Sequence, residues 1–161
     1  MSFEATKTLE HEVDRLVKNY PEKRSASLMV LHAIQEEFGY ISKDAELWAA
    51  KKLDLKPINI HELVTFYPML REQDPGKTVI RVCRTLSCAL AGSHKLHGHI
   101  CEKLGLDKEG HGLQRTKDGK FGVEFAECLA SCGTGPVMMC NDDFFEAVSN
   151  EAAEKILKEY D

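Results

Sequence analysis

Two stretches, Thr78-Val-Ile-Arg-Val-Cys83 and Phe121-Gly-Val-Glu-Phe-Ala-Glu-Cys128, each lead an apolar run into a cysteine. The first stretch is rich in β-branched residues and the second alternates apolar residues with others, so both predict β-strands. Each strand opens into a loop that carries a second cysteine, Cys88 or Cys132. We therefore expect the fold to bring two distant pairs of thiols to one edge of a sheet.

The four cysteines Cys83, Cys88, Cys128 and Cys132 form a C-x4-C pair and a C-x3-C pair, with 39 residues between the pairs. Two close pairs, each placed just after a predicted strand, are typical of a four-thiolate metal site. The alternative is four small buried hydrophobic residues, but loops rich in glycine, serine and threonine give a core residue little to pack against. The spacing alone leaves open whether the site holds zinc or an iron–sulfur cluster.

The residues around these cysteines favour an iron–sulfur cluster, because bridging sulfides need hydrogen-bond donors. In the second loop, donors are expected from backbone N–H groups beside Gly133 and Gly135 and from the hydroxyls of Ser131 and Thr134. The first loop offers three further candidate donors: Arg84, Thr85 and Ser87. The plant-type ferredoxin pattern C-x4-C-x2-C and the thioredoxin pattern C-x-x-C do not occur, which disfavours those two families.

Composition excludes several classes of function. The chain has 161 residues, a formal charge of −5 and 43% hydrophobic residues, which is typical of a globular protein. A mildly acidic chain without long basic runs disfavours nucleic acid and anionic membranes as partners, and leaves proteins and small molecules. The acidic N-terminus does not resemble a targeting segment, and no uncharged run is long enough to insert into a membrane. We therefore expect a cytoplasmic location, where cysteines stay reduced.

The turn signal Asp74-Pro-Gly76 divides the chain into a helical part and an α/β part. Residues 1–75 are predicted to form a helical bundle and residues 76–161 a small α/β layer, so the expected fold class is α+β or α/β. The helical part contains little polar chemistry, which fits a docking domain for a larger subunit.

Apolar stripes and capping signals locate the elements of both parts. In the first part, helices are predicted at residues 9–20, 28–38, 43–53 and 59–66. Ser25 and Ser27 are candidate caps for the second helix, which Gly39 is expected to end, and Asn59 with Glu62 resembles a capping box for the fourth. In the second part, we expect helices at 94–104 and 150–160, short strands at 137–140 and 144–148, and a polar connection at 107–120.

Several segments of the second part match a known pattern: Val82-Cys-Arg-Thr-Leu-Ser-Cys88, Asp118-Gly-Lys-Phe121, Glu127-Cys-Leu-Ala-Ser-Cys-Gly-Thr-Gly-Pro136 and Asn141-Asp-Asp-Phe-Phe-Glu146. Together they resemble the thioredoxin-like [2Fe–2S] ferredoxin family, which supplies a small subunit to NADH:quinone oxidoreductase, respiratory complex I. In the helical part, two segments extend the resemblance, which covers residues 20–160: Gln35-Glu-Glu-Phe-Gly-Tyr-Ile41 and Val64-Thr-Phe-Tyr67. Two residues depart from the pattern, since Gly122 stands where Ser or Thr is usual and Ala130 where Gly is usual.

By that resemblance, Cys83, Cys88, Cys128 and Cys132 all ligate one [2Fe–2S] cluster in a thioredoxin-like domain. The resemblance also implies a larger partner subunit that binds FMN and oxidises NADH, with which this chain exchanges single electrons in a peripheral part of a membrane-associated complex. No G-x-G-x-x-G motif follows a strand, so we expect no complete catalytic site in the chain itself. The alternatives are an equivalent subunit of a soluble NAD-linked hydrogenase or formate dehydrogenase, a zinc-stabilised interaction module, and a thiol oxidoreductase.

The other cysteines and histidines are expected to have structural roles. Cys101 and Cys140 lie in apolar surroundings and are predicted to be core thiols. His94, His97 and His99 belong to one predicted helix and are expected on a solvated face rather than at a metal. Since a side chain disfavours left-handed backbone, Ala130 is expected to affect the geometry of the cysteine loop rather than the set of ligands.

Overall fold

The computed structural model describes residues 3–161 and separates into two compact units, one ending at Asp74 and the other comprising Pro75–Asp161. Within residues 3–161, none of the helices has the length and apolar character needed to cross a membrane. The assignment of docking to one unit and metal binding to the other stays a prediction.

The described part of the first unit is built from four α-helices. They are α1 (Lys7–Val17), α2 (Ser27–Phe38), α3 (Lys43–Leu53) and α4 (Pro57–Phe66), with a 3₁₀ turn at Lys23–Ala26 before α2. Their apolar stripes meet in one core, whose fully buried members include Val13, Leu31, Ile34, Ala49, Leu53 and Ile60. The four predicted helices are thus confirmed, because each has an apolar face that only burial against the others removes from water.

Local signals fix several of the helix ends. The N–H of Leu9 donates to Thr6 Oγ1 at 3.1 Å, and the N–H of Ala45 donates to Ser42 Oγ at 3.2 Å. Each cap therefore satisfies one donor that the first turn of a helix leaves unpaired. Gly39 ends α2 in the left-handed conformation, with φ of 80°, as predicted.

Two of the predicted helix starts are wrong. Helix α2 follows Ala26, and the Ser27 hydroxyl donates to the Arg24 carbonyl at 2.6 Å instead of capping the helix. Helix α4 begins at Pro57, because a proline at the first helical position has no N–H to leave unpaired and its fixed φ suits the helix. Asn59 consequently lies inside α4 rather than at its cap.

The second unit, every residue of which is described, is an α/β layer with a five-stranded sheet. Its elements are β1 (Thr78–Cys83), α5 (Leu86–Leu90), α6 (Ser93–Lys103), β2 (Gln114–Arg115), β3 (Phe121–Ala126), β4 (Met138–Cys140), β5 (Asp143–Phe145) and α7 (Asn150–Glu159). The strand order is β2-β3-β1-β4-β5, with β1 and β3 parallel and the other neighbours antiparallel. The core includes Ile80, Val82, Ile100, Val123 and Met138.

The longer elements of this unit agree with the sequence predictions, and the differences concern short ones. The last strand ends at Phe145 rather than at Val148. Helix α5 and strand β2 are additions, and β2 lies inside the connection predicted to be only a polar loop. Elements of five and two residues are too short to show a period of hydrophobicity, so no sequence signal predicts them.

The parallel pair β1 and β3 positions the functional edge. Their register runs from Thr78 opposite Phe121 to Cys83 opposite Ala126, and the N–H of Arg84 continues it by donating to the Ala126 carbonyl at 2.9 Å. Because parallel strands end at the same side of a sheet, the loops that follow them start next to each other. We call these two loops, residues 83–88 and 127–136, the cysteine edge.

Candidate metal centre

The cysteine edge contains a buried pair of thiols and an exposed pair. Cys83 ends β1 and Cys88 lies in α5, and the two residues are only 2% and 1% exposed. Cys128 follows β3 and Cys132 opens a 3₁₀ turn, and both are exposed. Cys83 and Cys88 pack against Val137, whose carbonyl accepts the Cys83 N–H at 3.1 Å. One side of the candidate site therefore faces the interior and the other faces solvent.

The surroundings of Cys83 favour its thiolate form. Burial raises the pKa of this thiol, but hydrogen bonds from the Thr85 hydroxyl and from the backbone N–H groups of Leu129 and Thr85 outweigh burial, so the pKa lies below its ordinary value. Thr85 Oγ1 is 3.2 Å from Cys83 Sγ, which is consistent with the donor role predicted for Thr85. The thiolate is the form that binds metal ions, so this arrangement suits a ligand.

The two loops of the cysteine edge contact each other at Gly135. A Cβ atom at this position would lie 3.4 Å from Cys88 Sγ and 3.2 Å from the Cβ of Ala91, so the missing side chain lets the second loop pack against α5. Burial raises the pKa of Cys88, and the thiols of Cys83 and Cys132 raise it further. Thiols from both loops are thus close enough to interact, and their number and chemistry fit a four-thiolate metal site.

Ala130 adopts the left-handed conformation for which glycine is the usual residue. Its φ is 59°, and its N–H donates to Cys128 Sγ at 3.4 Å. The departure from the family pattern therefore falls on a residue whose backbone shape directs an N–H group to a candidate ligand. A non-glycine residue in this conformation costs about 1–2 kcal/mol, which the rest of the loop has to offset.

The prediction that the Ser131 and Thr134 hydroxyls donate to sulfide is wrong. Both hydroxyls donate to Oε1 of Glu146, which follows β5 and which the sequence did not single out. Arg84 likewise forms an ion pair with Glu127. The contact to Glu146 joins residues 12 and 15 positions apart, so no local pattern predicts it.

Gly122, the second departure from the family pattern, allows close packing of the backbone. A Cβ atom there would lie 2.0 Å from the Pro75 carbonyl oxygen, well inside van der Waals contact. The chain before β1 therefore passes directly over β3 at a point that excludes any side chain. This contact accounts for glycine at a position where the family usually has Ser or Thr.

The cysteines outside the cysteine edge are core residues, as predicted. Cys101 and Cys140 are both fully buried, and burial raises the pKa of Cys140 to about 12. The expectation of a solvated histidine face holds for His94 but is wrong for His97, which is buried against Phe125. A buried thiol or imidazole of this kind contributes packing rather than metal binding.

Among residues 3–161, one further group places a histidine and acids at metal-like spacing: Glu46, His61 and Glu72. The ammonium group of Lys43 lies 3.1 Å from Glu46, 2.9 Å from His61 and 2.8 Å from Glu72. Its charge compensates the buried Glu46 carboxylate, which would otherwise be costly to remove from water. This group is therefore an ion-pair network that links α3, α4 and the chain after α4.

The α/β layer and its four-thiol edge define a small protein of the metal-binding class. Residues 13–161 match the model of the thioredoxin-like [2Fe-2S] ferredoxin family, and the chain belongs to that family. This result confirms the resemblance drawn from the cysteine motifs and the mixed α/β fold with a thioredoxin-like domain.

Curated relatives extend the comparison over nearly the whole chain. A subunit of the NADH-quinone oxidoreductase of Aquifex aeolicus is 35% identical over 98% of this chain and 96% of that protein. The subunit of the same name from Rickettsia felis is 36% identical over 90% of this chain and 86% of that protein. Among solved structures, an NAD+-reducing [NiFe]-hydrogenase superposes with a TM-score of 0.70 at 19% identity, over 83% of this chain and 22% of that chain. At this identity the hydrogenase shows a shared fold alone.

Proposed function

We propose that the chain holds one [2Fe–2S] cluster on Cys83, Cys88, Cys128 and Cys132 and exchanges single electrons with the FMN of an NADH-oxidising partner subunit. The observation that carries the proposal is the parallel pairing of β1 with β3, which starts both cysteine loops at one edge of the sheet. When bound, the cluster supplies a one-electron redox couple. The names of the relatives support NADH:quinone oxidoreductase as the host complex, with this chain as a cytoplasmic, peripheral subunit.

The residues of the cysteine edge divide the work of holding the cluster. Cys83 and Cys88 are the buried ligands, fixed by β1 and α5. The Thr85 hydroxyl and the N–H groups of Leu129 and Ala130 donate to ligand sulfurs. Hydrogen bonds of this kind favour the more negative sulfur and so tune the reduction potential.

The exposed side of the same edge is where we expect the partner subunit to dock. Cys128 and Cys132 are exposed there, which leaves a path for electrons that does not cross the core. On α5, Leu86 and Leu90 are 75% and 82% exposed and lie one helical turn apart, next to Cys88. Large apolar side chains left in water beside a functional site are typical of a protein–protein interface.

The chemistry of NADH is assigned to the partner because this chain carries no dinucleotide-binding motif. A phosphate-binding G-x-G-x-x-G turn between a strand and a helix does not occur in its sequence. The chain is therefore proposed to take part in an oxidoreductase reaction as an electron carrier. Its own residues bind and orient the cluster, and hydride transfer takes place on the flavoprotein.

Analysis of the metal content tests the first half of the proposal. We expect about two irons and about two acid-labile sulfides per chain in protein purified without oxygen, with a visible absorption spectrum on the same sample. One zinc and no sulfide, in protein made with ample iron, would overturn the redox function and leave a zinc-stabilised interaction module. Metal-free protein with a reactive dithiol would instead support a thiol oxidoreductase.

Reduction by NADH tests the second half. The visible absorption should bleach when NADH is added together with the flavoprotein subunit of the same complex, and should remain unchanged with NADH alone. Leu90→Asp should weaken this reduction at limiting partner concentration, because it places a charge in the proposed interface. Glu159→Gln, at the end of α7, is the matched surface control. Bleaching by NADH in the absence of any partner would contradict the assignment of hydride transfer to another chain.

A further inference from the structure

The segment after β5 is bound to the cysteine edge at several points. The Glu146 carboxylate accepts hydrogen bonds from the hydroxyls of Ser131 and Thr134, which flank Cys132 in the sequence. The N–H of Ala147 donates to the Thr134 carbonyl at 2.7 Å, and the N–H of Val148 donates to the Pro136 carbonyl at 3.0 Å. We call residues 146–148 the brace, because side-chain and backbone contacts from three consecutive residues hold one short loop.

The backbone of the brace has an uncommon conformation. Ala147 has φ of 48°, in the left-handed region that a non-glycine residue adopts only at a cost. The contacts on either side of Ala147, from the Glu146 side chain and the Val148 N–H, both end on the Cys132 loop. Such a conformation persists only where the surrounding contacts determine it, so the brace and the loop fix each other.

The direction of the hydrogen bonds follows from the charge on Glu146. The hydroxyls of Ser131 and Thr134 lower the pKa of Glu146, and an ionised carboxylate can only accept. Each hydroxyl has one proton, so both protons are committed to Glu146. The hydroxyls are therefore held away from the ligand sulfurs, and the negative charge of Glu146 is placed beside the loop that carries Cys132.

We propose that Glu146 is a positioning residue for Cys132: its carboxylate fixes the Cys132 loop through Ser131 and Thr134 and thereby sets the stability and electronic properties of the metal site. This inference rests on the proposed function, since it needs the cluster to be present. Glu146 itself contacts none of the four cysteines in the hydrogen bonds described, so it acts through the loop. Groups that orient metal ligands from outside the ligand set typically change metal affinity about 10–100-fold when they are removed.

The test compares four variants of the full chain, each purified without oxygen. Glu146→Ala removes the acceptor, Glu146→Gln removes the charge but keeps an acceptor, and Ser131→Ala with Thr134→Val removes both donors. Asp142→Asn is the matched control, because it removes one negative charge from the same β4–β5 region. The readouts are the rate of iron transfer to a ferrous-iron chelator, the electron paramagnetic resonance spectrum of the reduced protein, and the reduction potential.

We expect Glu146→Ala and the hydroxyl variant each to release iron about 10–100-fold faster than the wild type and to change the resonance spectrum. Combining the two should give no further acceleration, because both remove the same contact. Glu146→Gln should keep the wild-type spectrum and lie between the wild type and Glu146→Ala in rate, and Asp142→Asn should match the wild type in both.

Two results would overturn the inference while leaving the proposed function intact. One is a wild-type rate and spectrum in Glu146→Ala. The other is an Asp142→Asn effect equal to that of Glu146→Ala, which would mean that only the total charge matters. If the wild-type chain itself contains no iron and sulfide, the proposed function fails and the inference fails with it. Metal analysis of the wild type therefore separates the two kinds of failure.

Discussion

The imidazole of His97 lies stacked on the ring of Phe125, with ring centroids 3.8 Å apart and an interplanar angle of 17°. This pair joins α6 to β3 inside the core of the second unit. Burial, and to a lesser degree the neighbouring His94, lower the pKa of His97. The folded state therefore accommodates the neutral imidazole and disfavours the charged one.

The His97–Phe125 pair predicts that the chain loses stability in mild acid. Because the pKa of His97 is lower in the folded state, its contribution is fully present above the unfolded value of about 6.5 and is lost as the pH falls towards the folded value. We expect His97→Gln to reduce the decrease in unfolding free energy between about pH 7.5 and about pH 5.5. Urea unfolding across this range measures the slope. His94→Gln, at an exposed position on the same helix, should keep most of the wild-type slope, and an unchanged slope in His97→Gln would contradict the prediction.

A glycine at residue 130 should stabilise the chain. Ala130 has φ of 59°, and glycine adopts this region without the cost of about 1–2 kcal/mol that a side chain incurs. Glycine also loses more backbone entropy on folding, so the net gain expected for Ala130→Gly is about 0.5–1 kcal/mol. The free energy of unfolding in urea measures it. Ala126→Gly is the control, since in strand β3 the same change should destabilise by about 0.5–1 kcal/mol. Equal destabilisation in both variants would rule out relief of strain at residue 130.

A side chain at residue 122 should be tolerated poorly. The Cβ of Gly122→Ala would lie 2.0 Å from the Pro75 carbonyl oxygen, so the backbone has to move. Forcing an extra methyl group into a closely packed site typically costs about 1–3 kcal/mol. Gly98→Ala is the control, because its Cβ would lie 3.9 Å from Lys108 Cβ, an ordinary contact. In the helix interior that change should be neutral or stabilising by up to about 1 kcal/mol. Thermal unfolding of both variants measures the difference, and a neutral Gly122→Ala would show that the Pro75 segment moves freely.

Local patterns explain why the main elements could be predicted. The β-branched run of β1 and the alternation in β3 each lie within six residues, and the four apolar stripes of the first unit have the period of a helix. The mistakes occur where two local signals compete. At the start of α4, Pro57 and Asn59 both offer a beginning, and the proline determines it.

The candidate site was predictable only as a set of ligands. Spacing and position after strands single out the cysteines, because both are properties of the chain near each pair. Burial of His97 and the contact between Glu146 and Ser131 depend on how distant elements pack. The same holds for the difference in exposure between Cys88 and Cys132, which only the packed fold determines.

Substitution of single cysteines is expected to separate ligands from core thiols. Cys128→Ser and Cys132→Ser remove an exposed thiol each, so the apo fold should persist while the iron and sulfide content and the visible absorption fall. Cys83→Ser is less clean, because it buries a hydroxyl and can cost about 1–3 kcal/mol in addition to the lost ligand. Cys101→Ala is the control: this thiol is fully buried in α6, and the variant should keep its iron while losing some thermal stability. Full iron and sulfide content in Cys128→Ser and Cys132→Ser would exclude these two residues as ligands. Since the two exposed ligands lie on the side proposed for electron exchange, that result would also move the docking surface away from the cysteine edge.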